Sequence, residues 1–361
     1  MAYRRGTAVK AGFNAHTNTP WATGAGVAVG AGDALEIIPS EMPKVATELI
    51  LDEAARGTPF RIGPTPGTKS FGAAPDAYFG YNNNAQRLLA HWWGADAVTG
   101  PTEVSTYSHL LTYSEVNEDI FGTWAHHDGL ELFDAAMAKI VAHQITFAKN
   151  QKTLIKPVIM CRQLLRDDTG PNTDLATFEA AVTLPTQAAT RYLLLSSNQF
   201  TVRINAFSGG ALSSSDDMCV TGATMNFQRL IEDDALFDSC GGRFIQQPLG
   251  ADSLISGSLT FGKDSTIAQY GWQEDATELK MTIECDSGAI IPSATAITWK
   301  YTWSFPLITL SSEGVPDFTK RGLFGKTFNW TAGGAESNPT GMAFATPRLV
   351  IIDNTSTAHQ L

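Results

Sequence analysis

The sequence has few cysteines, and none stands in a metal-binding spacing. Cys161, Cys219, Cys240 and Cys285 are the only four among 361 residues, and no two of them form a Cys-x-x-Cys motif. A chain of this length buries roughly 75% of its unfolded surface and needs no disulfide framework. We therefore expect four reduced thiols that behave as small, buried hydrophobic side chains.

Long apolar runs and basic patches are also missing. Residues 1–23 include Arg4, Arg5 and Lys10 and lack the apolar stretch of a secretory signal or a membrane span. The formal net charge is −11 at pH 7. Because nucleic-acid binding depends on Lys and Arg neutralising phosphates, this balance argues against a protein that grips DNA or RNA. We expect a protein that folds in the cytoplasm and contacts no membrane.

Motifs for catalysis or cofactor binding are absent as well. The chain has no Gly-x-Ser-x-Gly elbow, no Walker loop and no His-Glu-x-x-His motif. The one dense titratable cluster, His126-His127-Asp128, is expected in a solvated turn, and His91 and His109 are expected to be hydrogen-bonded structural histidines. The sequence therefore predicts no catalytic, cofactor-binding or metal-binding residues, and a protein that is not an enzyme.

Strict alternation of apolar and polar residues dominates the C-terminal half. It is clearest over Glu278–Cys285 and Ile297–Trp303 and continues in Phe324–Trp330. Thr201–Phe207 and Val220–Arg229 have the same style. A period of two residues is that of a half-buried strand, so this half is predicted to be antiparallel sheet.

The N-terminal half contains one clear helix and two ambiguous segments. The helix is predicted over Ala85–Trp93, with Asn84 as its N-cap and Gly94 as a left-handed stop. Lys44–Gly57 admits a strand or a helix, and we favour a strand. Gly129–Lys149 has helical spacing at first and strand spacing towards its end, where a strand is favoured.

Two stretches repeat one local pattern, a small polar strand followed by a short helical turn that ends in aromatic residues. They are Gly67–Gly94 and Ile255–Trp272. The repeat predicts a duplicated architecture. The expected divisions are an N-terminal arm over 1–35, a first β domain over 36–208, a second β domain over 209–333 and a C-terminal arm over 334–361. The apolar run at 349–352 could add one strand to a neighbour.

Six short stretches follow one another in a recognisable order. They are Ile38-Pro39-Ser40-Glu41, Leu51–Pro59, Arg87–Gly94, Tyr107-Ser108-His109, Val220–Phe227 and Ile255–Leu259. Over about residues 36–333, this order resembles the major tail tube proteins of long-tailed, non-contractile bacteriophages (siphophages). The likeness is one of style and order, and it includes no catalytic signature.

The resemblance implies a mainly β fold, an antiparallel β-sandwich with one or two short flanking helices. It also implies that the inner sheet joins those of neighbouring copies into a continuous β-barrel ring. One polar face would line the channel, and Glu278, Lys280, Thr282 and Glu284 are the predicted lumen-facing residues. An acidic, sparsely charged lining would let DNA slide through without specific binding.

Assembly and partners follow from the same resemblance. Relatives with one tube domain close as hexameric rings, so a chain with two such domains would close as a trimer with pseudo-sixfold symmetry. We favour the trimer, and the hexamer remains open. Stacked rings would form the virion tail, assembled in the host cytoplasm. The implied partners are other copies of the chain, a tape measure protein, a tail terminator and distal tail proteins, without any cofactor.

Two other classes of protein fit the same composition. A carbohydrate-binding or adhesion β-sandwich would need exposed tryptophans, and a glycoside hydrolase would need a cleft with paired carboxylates. Six of the eight tryptophans lie at clearly apolar positions, which favours core or subunit contacts over a sugar platform. They are Trp92, Trp93, Trp124, Trp272, Trp299 and Trp303.

Overall fold

The computed structural model is mainly β, with a large antiparallel sheet and three helices in the part of the chain that it describes. That part comprises residues 10–17, 21, 26–50, 65–81, 84–115, 120–148, 150–166, 169–183, 199–231, 247–248, 252–261, 267–313 and 326–360. None of its helices is long and apolar enough to cross a membrane.

The helices are short, and several strands are long. The helices are α1 Ala85–Trp93, α2 Leu175–Ala181 and α3 Ile267–Glu274. The strands are β1 Ala11–Thr17, β2 Ala34–Leu35, β3 Ile37–Ile50, β4 Thr65–Tyr78, β5 Gly94–Thr99, β6 Tyr107–Tyr113, β7 Ile120–His127, β8 Leu132–Ala148, β9 Leu154–Arg166, β10 Phe200–Ala206, β11 Asp217–Met218, β12 Val220–Leu230, β13 Asp252–Phe261, β14 Leu279–Ile290, β15 Thr298–Glu313, β16 Lys326–Gly333 and β17 Arg348–Asp353.

A first set of strands, β1–β4 with β7–β9, makes six antiparallel pairings. Strand β1 pairs with β2 and β7, β3 with β4, β4 with β9, and β8 with both β7 and β9. Helix α1 lies between β4 and β7 in the chain and contacts β8.

A second set, β10–β16, makes the same six pairings in the same chain order. Strand β10 pairs with β11 and β14, β12 with β13, β13 with β16, and β15 with both β14 and β16. Helix α3 lies between β13 and β14 and contacts β15. The repeat seen in the sequence therefore falls on equivalent steps, β4 to α1 and β13 to α3.

The two sets are joined edge to edge. Strand β12 of the second set pairs with the C-terminal half of β8, so that Asn226 lies opposite Gln144 and Phe227 opposite His143. A smaller extension, β5–β6–β17, attaches to the N-terminal half of β15. One antiparallel strand system therefore spans both halves of the described chain.

The core is aromatic and crosses the junction between the two sets. Of the eight tryptophans, Trp272 is partly buried and the other seven are at most 6% exposed. Phe227 of β12 contacts the rings of Trp92, Trp93 and His143 from the first set. The prediction that the tryptophans fill apolar faces is confirmed.

Helix α1 has the predicted bounds but a different start. Gly94 adopts a φ of 85° and its N–H donates to the carbonyl of Ala90, which confirms the left-handed stop. Asn84 makes no side-chain cap and itself has a φ of 62°. Its amide instead donates to the carbonyl of Ala34 at 3.0 Å, so the predicted capping role was wrong.

Both ambiguous segments form strands over most of their described residues. β3 covers 37–50, while 51–57 lie outside the described residues. β8 is a strand throughout, although its first half has helical spacing. Residues 134–141 are buried without interruption, because β8 is covered on both faces there. A strand buried on both faces loses its alternation, and this is why the pattern was misleading.

The paired histidines were placed wrongly in a solvated turn. His126 and His127 end strand β7 and are 5% and 0% exposed. The His127 ring accepts the backbone N–H of Lys10 at 3.0 Å, and the His126 ring stacks on Phe133. Burial lowers the pKa of His126 to about 4. Both rings are therefore buried inside the fold, which sequence spacing could not reveal.

Each predicted arm contributes a strand, and the cysteines differ from one another. β1 lies in residues 1–35 and pairs with β7, and β17 lies in residues 334–361 and pairs with β6 and β15. Cys161 and Cys285 are buried, as expected, whereas Cys219 is exposed. Cys240 lies outside the described residues. The expectation of burial was therefore wrong for Cys219.

Candidate functional site: the polar face of the joined sheet

The four strands β8, β12, β13 and β16 form one surface across the junction of the two sets. On β12, Ala223, Met225 and Phe227 are buried, while Thr224 and Asn226 between them are half-buried on the other side. Alternate side chains of a strand point to opposite faces. We call the outward-facing side of these four strands the polar face.

Strand register arranges the polar face in three rows, each crossing β8, β12, β13 and β16 in turn. The rows are Gln144–Asn226–Ser256–Thr331, Thr146–Thr224–Ser258–Asn329 and Ala148–Gly222–Thr260–Thr327. No charged residue occurs in these rows. The surface therefore consists of hydroxyl, amide and small side chains, drawn from both halves of the chain.

Neighbouring side chains on the polar face bond to each other. The Gln144 amide donates to the Asn226 side-chain oxygen at 2.7 Å, and the Thr224 and Ser258 hydroxyls are 2.8 Å apart. Thr260 and Thr327 are 2.9 Å apart. Cross-strand pairs of this kind stabilise a sheet weakly. These bonds also occupy hydrogen-bond donors of the side chains. The polar face is therefore hydrophilic and uncharged.

Other strands of the second set, β10, β11, β14 and β15, have charged residues in ion pairs. Arg203 contacts Asp217 at 2.8 Å, and Lys300 contacts Asp286 at 3.1 Å and Glu284 at 3.6 Å. Burial raises the pKa of Asp286, but hydrogen bonds from Gly288, Thr298 and Lys300 outweigh it, so the pKa is lowered. The two cations and three carboxylates thus largely neutralise one another.

The four predicted lumen-facing residues have different surroundings. Glu278 is exposed just before β14, and Thr282 and Glu284 are half-buried on that strand. Lys280 is 0% exposed, and its ammonium group donates to the carbonyl of Gly209 at 2.7 Å and also to those of Phe207 and Thr340. Within the single chain, Lys280 is therefore covered. The lumen-facing role of these residues stays a prediction.

The polar face was missed at the sequence level, although its signal was present. The polar positions of β12 and β13 alternate with apolar ones, as in Thr224, Asn226, Ser256 and Ser258. What the sequence could not supply is the pairing of β12 with β8, which joins residues about 80 positions apart. Only that pairing places two halves of the chain in one surface.

Among the long strands, one edge of β3 and the last part of one edge of β15 have no partner in the described part of the chain. On β8, strands β7 and β12 share one edge, next to each other. The equivalent edge of β15 pairs with β14 up to Ile308. Past Ile308, no described strand pairs with this edge, while β16 pairs with the opposite one. Strand β3 pairs with β4 alone. Such edges present unpaired N–H and C=O groups that can pair with another chain.

A cleft of about 530 Å³ is lined by residues from β6, β13 and the segments beside them. Its lining includes Tyr113, Glu115, Ser253, Ile255 and Thr346, and Glu115 is the one carboxylate among the described residues that line it. Hydrolysis by the usual glycosidase mechanisms uses two carboxyl groups.

Comparisons with known proteins give no identification, because no family model matches the sequence and no curated protein matches it.

Proposed function

We propose that this chain is a structural protein that closes with copies of itself into rings, and that stacked rings form the hollow tail tube of a siphophage virion. The observation that carries the proposal is the strand arrangement. Two sets with the same six pairings are joined through β12 and β8, and no described strand pairs with the corresponding edges of β3 and β15. The sequence resemblance supplies the class of assembly.

The internal junction provides a template for the contact between copies. In the order of pairings, β3 corresponds to β12 and β15 corresponds to β8. A contact between β3 of one copy and β15 of the next would therefore repeat the contact that β12 makes with β8. Such a head-to-tail contact closes into a ring when the rotation is suitable.

Ring closure also answers the problem of the open edges. Long strands with unpaired edges invite aggregation, and closing a sheet into a barrel removes those edges. Each chain would contribute both of its sets to one continuous barrel. Three chains would then supply six equivalent sets, which favours the trimer; a hexamer of chains is the alternative.

The polar face suits the lining of a channel for DNA. Its rows have hydroxyl and amide groups but no Lys or Arg that would bind phosphates, and the chain as a whole has a net charge of −11. Each phosphate contact that is avoided removes a salt-dependent trap. DNA would pass during ejection, and the tape measure, terminator and distal tail proteins would bound the tube.

Two observations weigh against the alternative functions. Every tryptophan except the partly buried Trp272 is buried, which leaves little aromatic surface for sugar stacking. Glu115 is the single carboxylate among the described residues that line the cleft. A carbohydrate-binding module or a glycoside hydrolase is therefore supported less well than a tube protein.

Disulfide scanning between copies tests the proposed contact. The exposed Cys219 is first replaced by Ser. Single cysteines are then placed on β3, at Lys44, Val45, Ala46 and Thr47 in turn, together with Thr309→Cys on β15. We expect one register to give covalent oligomers that end at a closed trimer, or at a hexamer.

Two controls make the scan decisive. Each single-cysteine parent reports the background from native thiols. The pair Ala97→Cys with Thr309→Cys tests an exposed position on β5. This strand belongs to the extension and not to either set, so no contact with β15 is expected. The proposed contact would be overturned if, in protein concentrated enough to assemble, none of the four β3 cysteines formed more crosslinked oligomer than these controls.

A further inference from the structure

Two histidines and two aspartates form a buried cluster that the proposed function does not use. Asp96 lies on β5, His109 on β6, Asp353 on β17, and His359 on the segment that follows β17. The side chains of His109, Asp96 and Asp353 are 0% exposed, and that of His359 is 6% exposed. The cluster therefore lies where the end of the described chain meets the β5–β6–β17 extension.

The nitrogen and oxygen atoms of the cluster converge on one point. The carboxylate of Asp353 lies between the two rings, with Oδ1 3.3 Å from His109 Nε2 and Oδ2 2.8 Å from His359 Nε2. The carbonyl oxygen of Thr355 is 2.9 Å from His109 Nε2. One ligand atom from each of His109, Asp353 and His359 falls within 4.8 Å of the others.

Asp96 contacts both histidines through groups that do not face Asp353. Its Oδ2 lies 3.0 Å from His109 Nδ1 and accepts the backbone N–H of His359 at 2.8 Å. A carboxylate that binds one ring nitrogen fixes the tautomer and leaves the other nitrogen free to coordinate a metal. Asp96 thus orients Nε2 of His109 towards Asp353 and His359.

Charge balance calls for two positive charges at this place. Two buried carboxylates are costly unless opposite charge is bound beside them. A divalent cation supplies both charges at once and coordinates neutral imidazole. Two protons on the histidines are the other way to reach neutrality.

We propose that His109 Nε2, His359 Nε2 and the carboxylate of Asp353 bind one divalent transition-metal ion of the Zn²⁺ type, with Asp96 as the positioning residue. Imidazole and carboxylate ligands suit such ions. Ligand atoms about 2.0–2.2 Å from the metal stand roughly 3.4 Å apart in a tetrahedron. The 2.8 Å between Asp353 and His359 must therefore widen by less than 1 Å. The bound ion would fasten the C-terminal segment to β6 and β17.

No motif in the sequence indicates such a site, and none is predicted from it. His109 and His359 are separated by 250 positions, and Asp96 and Asp353 by a similar interval. Metal motifs are recognised from short spacings between ligands. Here β6 and β17 are adjacent only because they pair in the fold.

Metal titration of the full-length chain tests the proposal. The protein is stripped with a chelator, titrated with Zn²⁺, freed of unbound ion and analysed for metal content, and Co²⁺ is used as a spectroscopic probe. We expect one ion per chain, a raised Tm and a Co²⁺ spectrum typical of nitrogen ligands. His359→Gln should abolish uptake, and Asp96→Asn should weaken binding about 10- to 100-fold.

Matched measurements separate coordination from a merely structural role. Thr357→Ala, at an exposed position on the same segment, should bind Zn²⁺ like the parent. His359→Gln keeps a hydrogen-bonding side chain, so its Tm without metal should stay near that of the parent while the Zn²⁺-induced rise disappears.

Absence of stoichiometric uptake, or uptake that survives His359→Gln, would overturn the proposal. The cluster would then consist of protonated histidines in ion pairs with the two aspartates. Burial lowers the pKa of His109, but hydrogen bonds to Asp353 and Asp96 outweigh this and raise it to about 10. The result is independent of ring formation, because metal content is measured per chain.

Discussion

The two strand sets share a pairing scheme but differ in what they bury. The first set encloses many titratable groups: His16, His91, His126, His127, Asp134, Lys139 and His143. Strand β15 of the second set, which corresponds to β8 of the first, instead buries four aromatic rings in succession. They are Trp299, Tyr301, Trp303 and Phe305. The same backbone plan therefore accommodates two kinds of interior, since the plan is set by strand pairing and by which face is buried.

The polar groups of the first set are accommodated to different degrees. His91 bonds to the carbonyl of Phe121 at 2.7 Å, and Asp134 accepts the backbone N–H and the side-chain amide of Asn172 at 3.0 and 2.7 Å. Neither ring nitrogen of His143 has a hydrogen-bond partner in the described structure. In the second set, Tyr301 donates its hydroxyl to the carbonyl of Gly80 at 2.8 Å. The first set should therefore respond more strongly to acid.

The junction between the sets should show the largest loss. Phe227 of β12 packs against Trp92 at 5.2 Å and His143 at 4.5 Å between ring centroids. Phe227→Ala should lower the free energy of unfolding by about 3–5 kcal/mol, because it leaves a cavity in a core shared by both sets. Denaturant unfolding measures this. Leu230→Ala on the same strand, at a side chain 47% exposed, should change it by less than about 0.5 kcal/mol.

A loss as small for Phe227→Ala as for Leu230→Ala would contradict a shared core.

Arg229 is expected to be the second strongest link between the sets. Its guanidinium donates to the carbonyl of Ser114 at 3.0 Å, just after β6, and to that of Trp92 at 2.6 Å, at the C-terminal end of α1. A cation there satisfies free carbonyls and the helix dipole. Arg229→Met should cost about 2–3 kcal/mol in denaturant unfolding, since hydrogen bonds from a charged donor are lost.

The matched variant is Arg203→Met, which removes an arginine from a partly exposed ion pair. It should cost less than about 1 kcal/mol. Equal effects of the two substitutions would show that Arg229 does not tie the sets together.

Acid sensitivity should come from the buried histidines of the first set. Burial lowers the pKa of His143 to about 3 from a model-compound value of 6.5. The unfolded chain therefore binds the proton first, and stability is lost as the pH falls from 6.5 towards 3. At pH 5 this loss is about 2 kcal/mol for one such histidine. His143→Phe should remove that share, measured as the change in unfolding free energy between pH 7 and pH 5.

The same loss between pH 7 and pH 5 in His143→Phe and in the parent would contradict this assignment. Asp134 provides a contrast of opposite sign, because burial raises its pKa to about 6 despite its bonds to Asn172. Its protonation in the folded state adds stability as the pH falls through 6, so Asp134→Asn should make the acid-induced loss larger.

The polar face should contribute least to the stability of the single chain. Thr224→Ala removes the hydroxyl that lies 2.8 Å from Ser258 on a half-exposed surface. We expect a loss below about 1 kcal/mol in denaturant unfolding, because water replaces the lost hydrogen bond. A much larger loss would indicate that these residues serve the fold of the chain and not the surface of a channel.

Local periodicity was enough to predict much of the secondary structure. Helix α1, with its stop at Gly94, and strands β10, β12, β14 and β17 follow from residues close together in the chain. The first half of β8 was not predictable in this way, because burial on both faces removes the alternation. The capping role predicted for Asn84 was also wrong, because its side-chain amide donates to the carbonyl of Ala34 instead of capping the helix.

The functional surfaces depend on contacts between distant parts of the chain. The polar face needs β12 beside β8, and the His109 cluster needs β17 beside β6. Residues on single strands, such as Thr224 and Ser258, were visible as strand positions but had no assigned neighbours. Pairing of distant strands is determined by the whole sheet and leaves no spacing signature in the sequence.

End-on electron microscopy of the concentrated protein, combined with its mass in solution, tests the central claim most directly. We predict rings of three chains that show six similar lobes around a hollow centre and that stack into tubes. A protein that stays monomeric at high concentration, or rings with as many lobes as chains, would contradict the equivalence of the two strand sets in the assembly.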